Sequence, residues 1–384
     1  MPGRAMSRDA ESGGGSALKT ALVHYWMTSM RGGENVLAEL CRLYPDADIF
    51  THAWNREKVG EPFAAHKVTE TFISRLPGAR NGCQKYLVFM PEALRRLDLS
   101  SYRLIISSES GPAKGIRKPS GAVHVCYCHT PMRYLWDMSD LYYQAAGPGG
   151  KLAMKLFLRR LRDYDRRSAD AVDHFIANSA FVADRIRRVY GRDSAVIHPP
   201  VNTAFFSDPG RPGANAPKRD FYLCAGQITP YKRVDLAVLA CIRLGRRLVV
   251  AGDGPELKRV RQTAGNSPLV TFEGRCTNER LRELFTHARA LIFPGIEDFG
   301  IVPLEAQAAG TPVIAFGRGG ALETVLPGRT GLFFPEQTPE ALANTIEEFE
   351  AAPAWDPAVC AAHAAQFNPE RFRAEISAFI RSVT

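Results

Sequence analysis

The chain has 384 residues, 45% of them hydrophobic and 23% charged, with a formal net charge of +9. At about 150 residues per domain this length points to two domains, and the composition excludes a disordered, collagenous or small disulfide-framed chain. No run approaches the roughly 18 consecutive apolar residues of a membrane-spanning helix. The N-terminus also lacks the charged start, apolar stretch and cleavage site of a secretory signal, so a cytoplasmic location is expected.

The charge is uneven. Residues 1–200 hold 29 Lys+Arg against 20 Asp+Glu, whereas residues 201–384 hold 20 of each, so the first half carries the whole +9. This asymmetry points to a polyanionic partner, either nucleic acid or an anionic membrane surface. The eight cysteines contain no CxxC pair. With neither zinc nor disulfide spacing, they read as reduced core thiols.

In chain order, residues 1–17 are polar and Gly/Ser-rich and are expected to form a disordered tail. Order begins with the strand-like run from Lys19 to Tyr25, then Gly32-Gly33, then a helical pattern through Val36, Leu37, Leu40 and Leu43. That succession of strand, glycine loop and helix is the first unit of a doubly wound sheet. Short, continuously apolar runs recur at Arg103–Ser107, Ala122–Tyr127 and His174–Ala177, as in parallel sheets buried on both faces. His198-Pro199-Pro200 and the Pro/Gly-rich stretch from Pro209 to Pro217 interrupt the pattern. The alternation then restarts with strands near 221–225, 247–251, 269–272, 290–293 and 312–315. Helices are expected at Val234–Leu244, Glu256–Ala264, Asn278–Ala288 and Pro303–Ala309. The reading is α/β, with Rossmann-like domains over residues 18–200 and 201–384 facing across a cleft, where the carboxyl ends of parallel strands bind ligands.

The strongest local pattern runs from Pro294 to Ile314. A strand feeds a loop holding Glu297 and Gly300, and Pro303 suits the first turn of the following helix. Exposed N–H groups at 300–302 would make an anion site at that helix N-terminus. Glu305 falls one turn into the helix and Glu297 in the loop ahead of it, so the two carboxylates have different tasks.

Glu297 and Glu305, with seven residues between them, resemble the paired glutamates of glycosyltransferase family 4, retaining enzymes of the GT-B fold. Gly226–Arg233 resembles that family's loop ending in a phosphate-binding lysine. Gly252–Pro255, Phe272–Gly274, Gly317–Val325 and Gly328–Phe333 follow in the family's order. In the first half, Gly32-Gly33-Glu34 and Tyr127–Tyr134 look like the bacterial mannosyltransferase branch. The resemblance covers roughly residues 19–380, and the last helix, about 367–384, is expected to pack back on the acceptor-binding N-terminal domain.

The resemblance implies roles. Lys232 and the N–H groups of Gly300 and Ile301 would neutralise charge on the departing diphosphate. Glu305 would accept hydrogen bonds from both ribose hydroxyls, Glu297 would bind hydroxyls of the transferred sugar, and His129 would contact that sugar from the opposite domain. Gly32 and Gly33 would let the backbone approach the diphosphate or acceptor. The sugar nucleotide is a co-substrate, and neither a cofactor nor a metal is implied. Many family members carry Arg where this chain has Gln227; Arg233 would compensate, and glutamine there leans toward GDP-mannose.

Residues 151–167 hold seven basic and two acidic side chains. On a helix, Met154, Phe157, Leu158 and Leu161 share one face and Lys155, Arg159, Arg162 and Arg166 the other, a pattern able to lie on anionic lipid. The expected partners are therefore a sugar nucleotide, a lipid-linked polyprenyl-diphosphate saccharide and the inner face of the cell membrane. UDP-glucose or another sugar nucleotide stays open as donor. A nucleic-acid binder rests only on the basic charge and lacks an aromatic-rich basic motif. An NAD-dependent oxidoreductase would need a Gly-x-Gly-x-x-Gly turn after the first strand, where the chain reads Thr28-Ser29-Met30-Arg31-Gly32-Gly33. Asp46-Ala47-Asp48 and Asp163-Tyr164-Asp165 have the form used by metal-dependent transferases, but neither clearly ends a buried strand.

Overall fold

The computed structural model of the protein describes residues 18–207 and 221–384. The 1–17 tail and the Pro209–Pro217 stretch lie outside the described residues. Two parallel sheets organise the chain. The first contains β1 (Thr20–His24), β2 (Asp48–Thr51), β3 (Val68–Glu70), β4 (Leu104–Glu109), β5 (Val123–Cys128), β6 (His174–Ala177) and β7 (Ser194–Val196), in the order β3-β2-β1-β4-β5-β6-β7. The second contains β8 (Tyr222–Ala225), β9 (Leu248–Ala251), β10 (Val270–Gly274), β11 (Leu291–Phe293), β12 (Val313–Phe316) and β13 (Gly331–Phe334), in the order β10-β9-β8-β11-β12-β13. Both interiors are apolar on two faces. β1, for example, is buried along its whole length, as strands covered by helices on both sides must be.

In each sheet the order reverses once, between β1 and β4 and between β8 and β11. Loops leaving neighbouring strands there diverge to opposite faces and open a crevice at the carboxyl ends. The segments that follow β8 and β11 are those containing Lys232 and Glu297, so the topology alone brings these distant residues together.

The helix Val234–Leu244 runs over the expected residues and ends at Gly245, whose φ of 66° suits a left-handed cap. The helix expected from Pro303 instead begins at Ile301. Pro303 is thus its third residue, still inside the first turn, where no N–H has an intrahelical partner to lose. Around the short edge strand β3, the stretch 63–95 folds as short helices and turns.

The last helix, Pro369–Val383, is capped by the Asn368 side chain, which accepts from the N–H of Arg371. Its residues Phe372, Ile376 and Ile380, spaced at i, i+4 and i+8, enter the same core as Leu22, Ile106 and Tyr127 of the first sheet. The chain therefore crosses between domains twice. The two crossings are stitched where Val201 N–H donates to the Phe367 carbonyl at 2.9 Å and Arg371 donates to the His198 carbonyl at 3.0 Å. All eight cysteines are free thiols, and Cys276 alone is not fully buried.

The basic segment is part of the helix Pro148–Asp170. Its basic face is not uniformly solvated as expected. Arg162 donates to the Leu135 carbonyl at 2.6 Å, and Arg162 and Arg166 both lie over the Trp136 ring. Arg166 stays exposed all the same, as do Lys155, Arg159 and Arg160 nearer the N-terminus, where Leu152 and Leu156 are 58% and 61% exposed. No helix among the described residues is long and apolar enough to cross a membrane.

Phe372 is fully buried, so Phe372→Ala should lower stability by about 3–5 kcal/mol. Urea unfolding checks this; a change below about 1 kcal/mol would show that the returning helix does not support the N-terminal core.

Candidate active site

The C-terminal half of the site is built from the β8 and β11 loops. After β8 the chain turns through Pro230–Lys232 and presents the Lys232 ammonium 2.7 Å from Glu297 Oε1. Burial disfavours the ammonium, but the charge of Glu297 and its hydrogen bond outweigh that cost and hold Lys232 above the ordinary lysine range. Gly300 precedes the helix Ile301–Ala308 with a φ of 102°, a conformation that favours glycine. No side chain caps that helix, so its first N–H groups remain available to an anion. Glu305, one turn in, has its carboxyl pushed up to about 7 by burial, against an opposing pull from Lys232.

The N-terminal domain supplies the opposite wall. A Cβ on Gly32 would stand 2.7 Å from Ile301 Cδ1, so a larger residue there would have to push that side chain aside where the two domains meet. A Cβ on Gly33 would overlap the Tyr25 hydroxyl. His129 follows β5, with Nε2 2.9 Å from the Ser108 hydroxyl and its ring edge-on to Tyr25 and Tyr127. Burial, with a smaller contribution from His24, pushes its pKa down to about 3, so the ring is neutral.

Arg233 is placed differently from the expectation that it joins Lys232. It is the one non-glycine residue with positive φ among the described residues, and its guanidinium is held by Asp235 at 3.1 Å. The cation beside Gln227 comes from across the cleft: Arg31 Nη1 lies 3.5 Å from Gln227 Oε1. Sequence reasoning also passed over Asp298. Arg133 donates to its carboxylate at 2.9 Å from Nε, Arg185 donates at 2.6 Å, and the Ser179 hydroxyl donates to its carbonyl at 2.5 Å. Glu323 adds a second interdomain contact, accepting from the N–H groups of Ala180 and Phe181 and from His198. Arg133 lay within a noted motif, but nothing in its spacing named a partner 165 residues away.

The two Asp-x-Asp motifs serve the fold. Asp48 accepts from the Tyr102 hydroxyl, while Asp165 accepts from buried Lys114, Trp136 and Tyr190. Among the described residues no group of three His, Cys, Asp or Glu side chains could hold a metal ion.

The chain matches the family model described as Glycosyltransferase Family 4 over residues 30–205 and that described as Glycosyl transferases group 1 over residues 211–365. Together with the paired sheets, these matches give the class the chain resembles: a two-domain GT-B fold whose first half matches a family 4 glycosyltransferase domain and whose second half matches a group 1 domain. It is similar to a D-inositol 3-phosphate glycosyltransferase of Streptomyces bingchenggensis, with 35% identity over 48% of this chain and 46% of the relative. The enzyme of the same name from Streptomyces scabiei is 36% identical over 52% and 51%. The chain thus spans about half the length of these curated relatives. In fold it is similar to sucrose-phosphate synthase from Thermosynechococcus elongatus, with TM-score 0.73, 21% identity, and coverage of 95% of this chain and 99% of that one. It is also similar to Anabaena HepE in complex with UDP, with TM-score 0.68, 16% identity, and coverage of 95% and 100%.

A carboxyl raised to about 7 is largely protonated at pH 6.5. A ligand that donates two hydroxyls to it favours the ionised form, so its binding should release protons below pH 7 and tighten as pH rises from 6 to 8. Calorimetry of GDP binding in buffers of different ionisation enthalpy, compared with Glu305→Gln, isolates this contribution. Identical proton release in parent and variant would remove Glu305 from the nucleotide site.

Proposed function

We propose that the protein is a retaining, metal-independent hexosyltransferase that moves mannose from GDP-mannose to a polyprenyl-diphosphate-linked saccharide in cell-surface polysaccharide synthesis. The observation that carries the reading is the Lys232–Glu297 pair at 2.7 Å, beside an uncapped helix N-terminus. Departure of a nucleoside diphosphate builds charge on its β-phosphate. Lys232 and the N–H groups of Gly300 and Ile301 are fixed donors for that charge, and preorganised donors in a water-poor site stabilise a transition state more than they stabilise the substrate. When Lys232 turns to phosphate, Glu297 is freed to accept from hydroxyls of the hexose, while Glu305 accepts from the ribose. His129 faces the sugar from the other domain.

Gln227 supports a GDP-mannose donor. The UDP bound to HepE keeps UDP-sugars open, and the activity for which the Streptomyces relatives are named favours a second acceptor reading, an inositol phosphate. A panel of GDP-mannose, UDP-glucose and further sugar nucleotides, each offered with lipid extract or with inositol 3-phosphate, separates these. The expected result is mannose transfer to lipid that survives excess chelator and falls on the order of 100-fold or more in Lys232→Ala. Activity abolished by chelator and restored by manganese would overturn the metal-independent mechanism.

A lipid-linked acceptor places the enzyme on the inner face of the membrane. Leu152 and Leu156 stand exposed among Lys155, Arg159 and Arg160, and each basic residue near an anionic surface contributes about 1 kcal/mol. The protein should sediment with anionic vesicles at low salt and be released at high salt, as screening shortens the reach of the charges. Replacing Lys155, Arg159 and Arg160 with Gln should weaken this without unfolding. Equal recovery with neutral and anionic vesicles would remove the membrane from the proposal.

A further inference from the structure

Beneath His129 lies a row of buried polar groups with no direct part in the proposed transfer. His24 ends β1 and lies in register with Ser108 of β4, and its Nδ1 is 3.1 Å from the Ser108 hydroxyl. The same hydroxyl is 2.9 Å from His129 Nε2. On the far side, His24 Nε2 faces Glu34 Oε1 at 3.8 Å. His24, Ser108 and Glu34 are 1%, 0% and 2% exposed. His24 Nε2 and Glu34 Oε2 have no hydrogen-bond partner among the described residues. His129 Nδ1 has none either and is not sealed from solvent.

A serine hydroxyl has one hydrogen, so Ser108 can donate to only one of the two rings and must accept from the other if both contacts are kept. The direction of the row is therefore shared by all its members. A carboxylate accepts and never donates. Facing Glu34, His24 is favoured with its proton on Nε2, because a bare Nε2 would set two lone pairs against each other in a dry interior. Its Nδ1 is then bare and accepts from Ser108, whose oxygen accepts in turn from Nε2–H of His129.

We propose that Glu34, acting through His24 and Ser108, holds His129 in the tautomer protonated on Nε2, so that its bare Nδ1 accepts a hydrogen bond from a hydroxyl of the transferred sugar. This rests on the sugar-transfer reading for the identity of the ligand, but the row itself belongs to the free protein. Glu34, His24 and Ser108 are positioning residues: none touches the cleft, and each matters by fixing whether His129 accepts or donates there. The Gly32-Gly33-Glu34 sequence then has two tasks, since its glycines admit Ile301 while its glutamate orients the histidine of the opposite strand end.

Nitrogen-15 spectra of histidine-labelled protein without ligand read the tautomer directly, with the His129 signals identified by their loss in His129→Asn. The parent should show His129 protonated on Nε2. Glu34→Gln removes the charge that sets the direction and supplies a donor toward His24, so the Nδ1-protonated form should rise to a comparable or larger population. Ser108→Ala cuts the row while keeping Glu34, should produce the same loss of preference, and decides the matter if Glu34→Gln does not fold. In both variants donor hydrolysis should fall about tenfold in kcat/KM, the scale of one misdirected hydrogen bond, while Kd for free GDP stays unchanged. A parent His129 protonated on Nδ1, or two folded variants with the parent's tautomer, would overturn the proposal. Because the spectra need no donor, a parent protein without transferase activity would sink the transfer reading and leave this result to stand or fall alone.

Discussion

Asp298 is the residue on which the geometry of the site depends. It lies between Glu297 and Phe299 in a loop of the C-terminal domain, yet its charge is satisfied by Arg133 and Arg185 of the N-terminal domain. A buried carboxylate without such partners would be strongly unfavourable, and removing one partner from a buried ion pair is costly. The loop that presents Glu297 is therefore positioned by the domain that also supplies His129. Arg133 further lies over the Tyr231 ring, next to Lys232. One cluster thus fixes, from both sides, the paired lysine and glutamate of the proposed donor site.

The cluster also bears on how the two domains move. The connections at Val201–Phe367 and His198–Arg371 lie side by side, which is how a two-domain chain forms a hinge with few residues. Asp298 bridges the cleft to Arg133 and Arg185, and Glu323 bridges it beside the hinge at His198. Gly32 against Ile301 and Arg31 against Gln227 are further contacts across the cleft. On the proposed reading, a nucleotide entering between Lys232 and the N-terminal wall competes with the Lys232–Glu297 pair, so that its binding and the rearrangement of charge are one event.

The electrostatics divide the site by function. Lys232 is kept charged by Glu297, whereas burial raises Glu305 and lowers His129. A fixed cation suits a diphosphate, and a neutral imidazole suits a hydroxyl. Placing these states within one cleft requires different surroundings for each group. The helix N-terminus, the interdomain salt bridges and the buried row beneath His129 supply those surroundings.

The local elements were legible in the chain itself. Short, continuously apolar runs such as Leu22–Val23 and Leu291–Phe293, bounded by breakers, read as strands buried on both faces, and Gly245 ends its helix by its own backbone freedom. The placement of Lys232, Glu297 and Glu305 after their strands was legible as well, because a loop after a strand and the first turn of a helix keep their local geometry wherever the domain is placed, but their roles came only from the resemblance to a known family. What the sequence could not assign were partners. Arg233 has its nearest carboxylate two residues away and takes it, rather than serving the diphosphate. Arg162 lies on a face that periodicity calls solvated, but the Leu135 carbonyl and the Trp136 ring hold its guanidinium. Asp298 with Arg133 and Arg185, and Glu34 with His24 and Ser108, join residues far apart in the chain. Backbone propensity and hydrophobic period act over a few residues and so determine elements. Charge pairing and hydrogen-bond direction act across space, and only the packing of two sheets and two domains decides them.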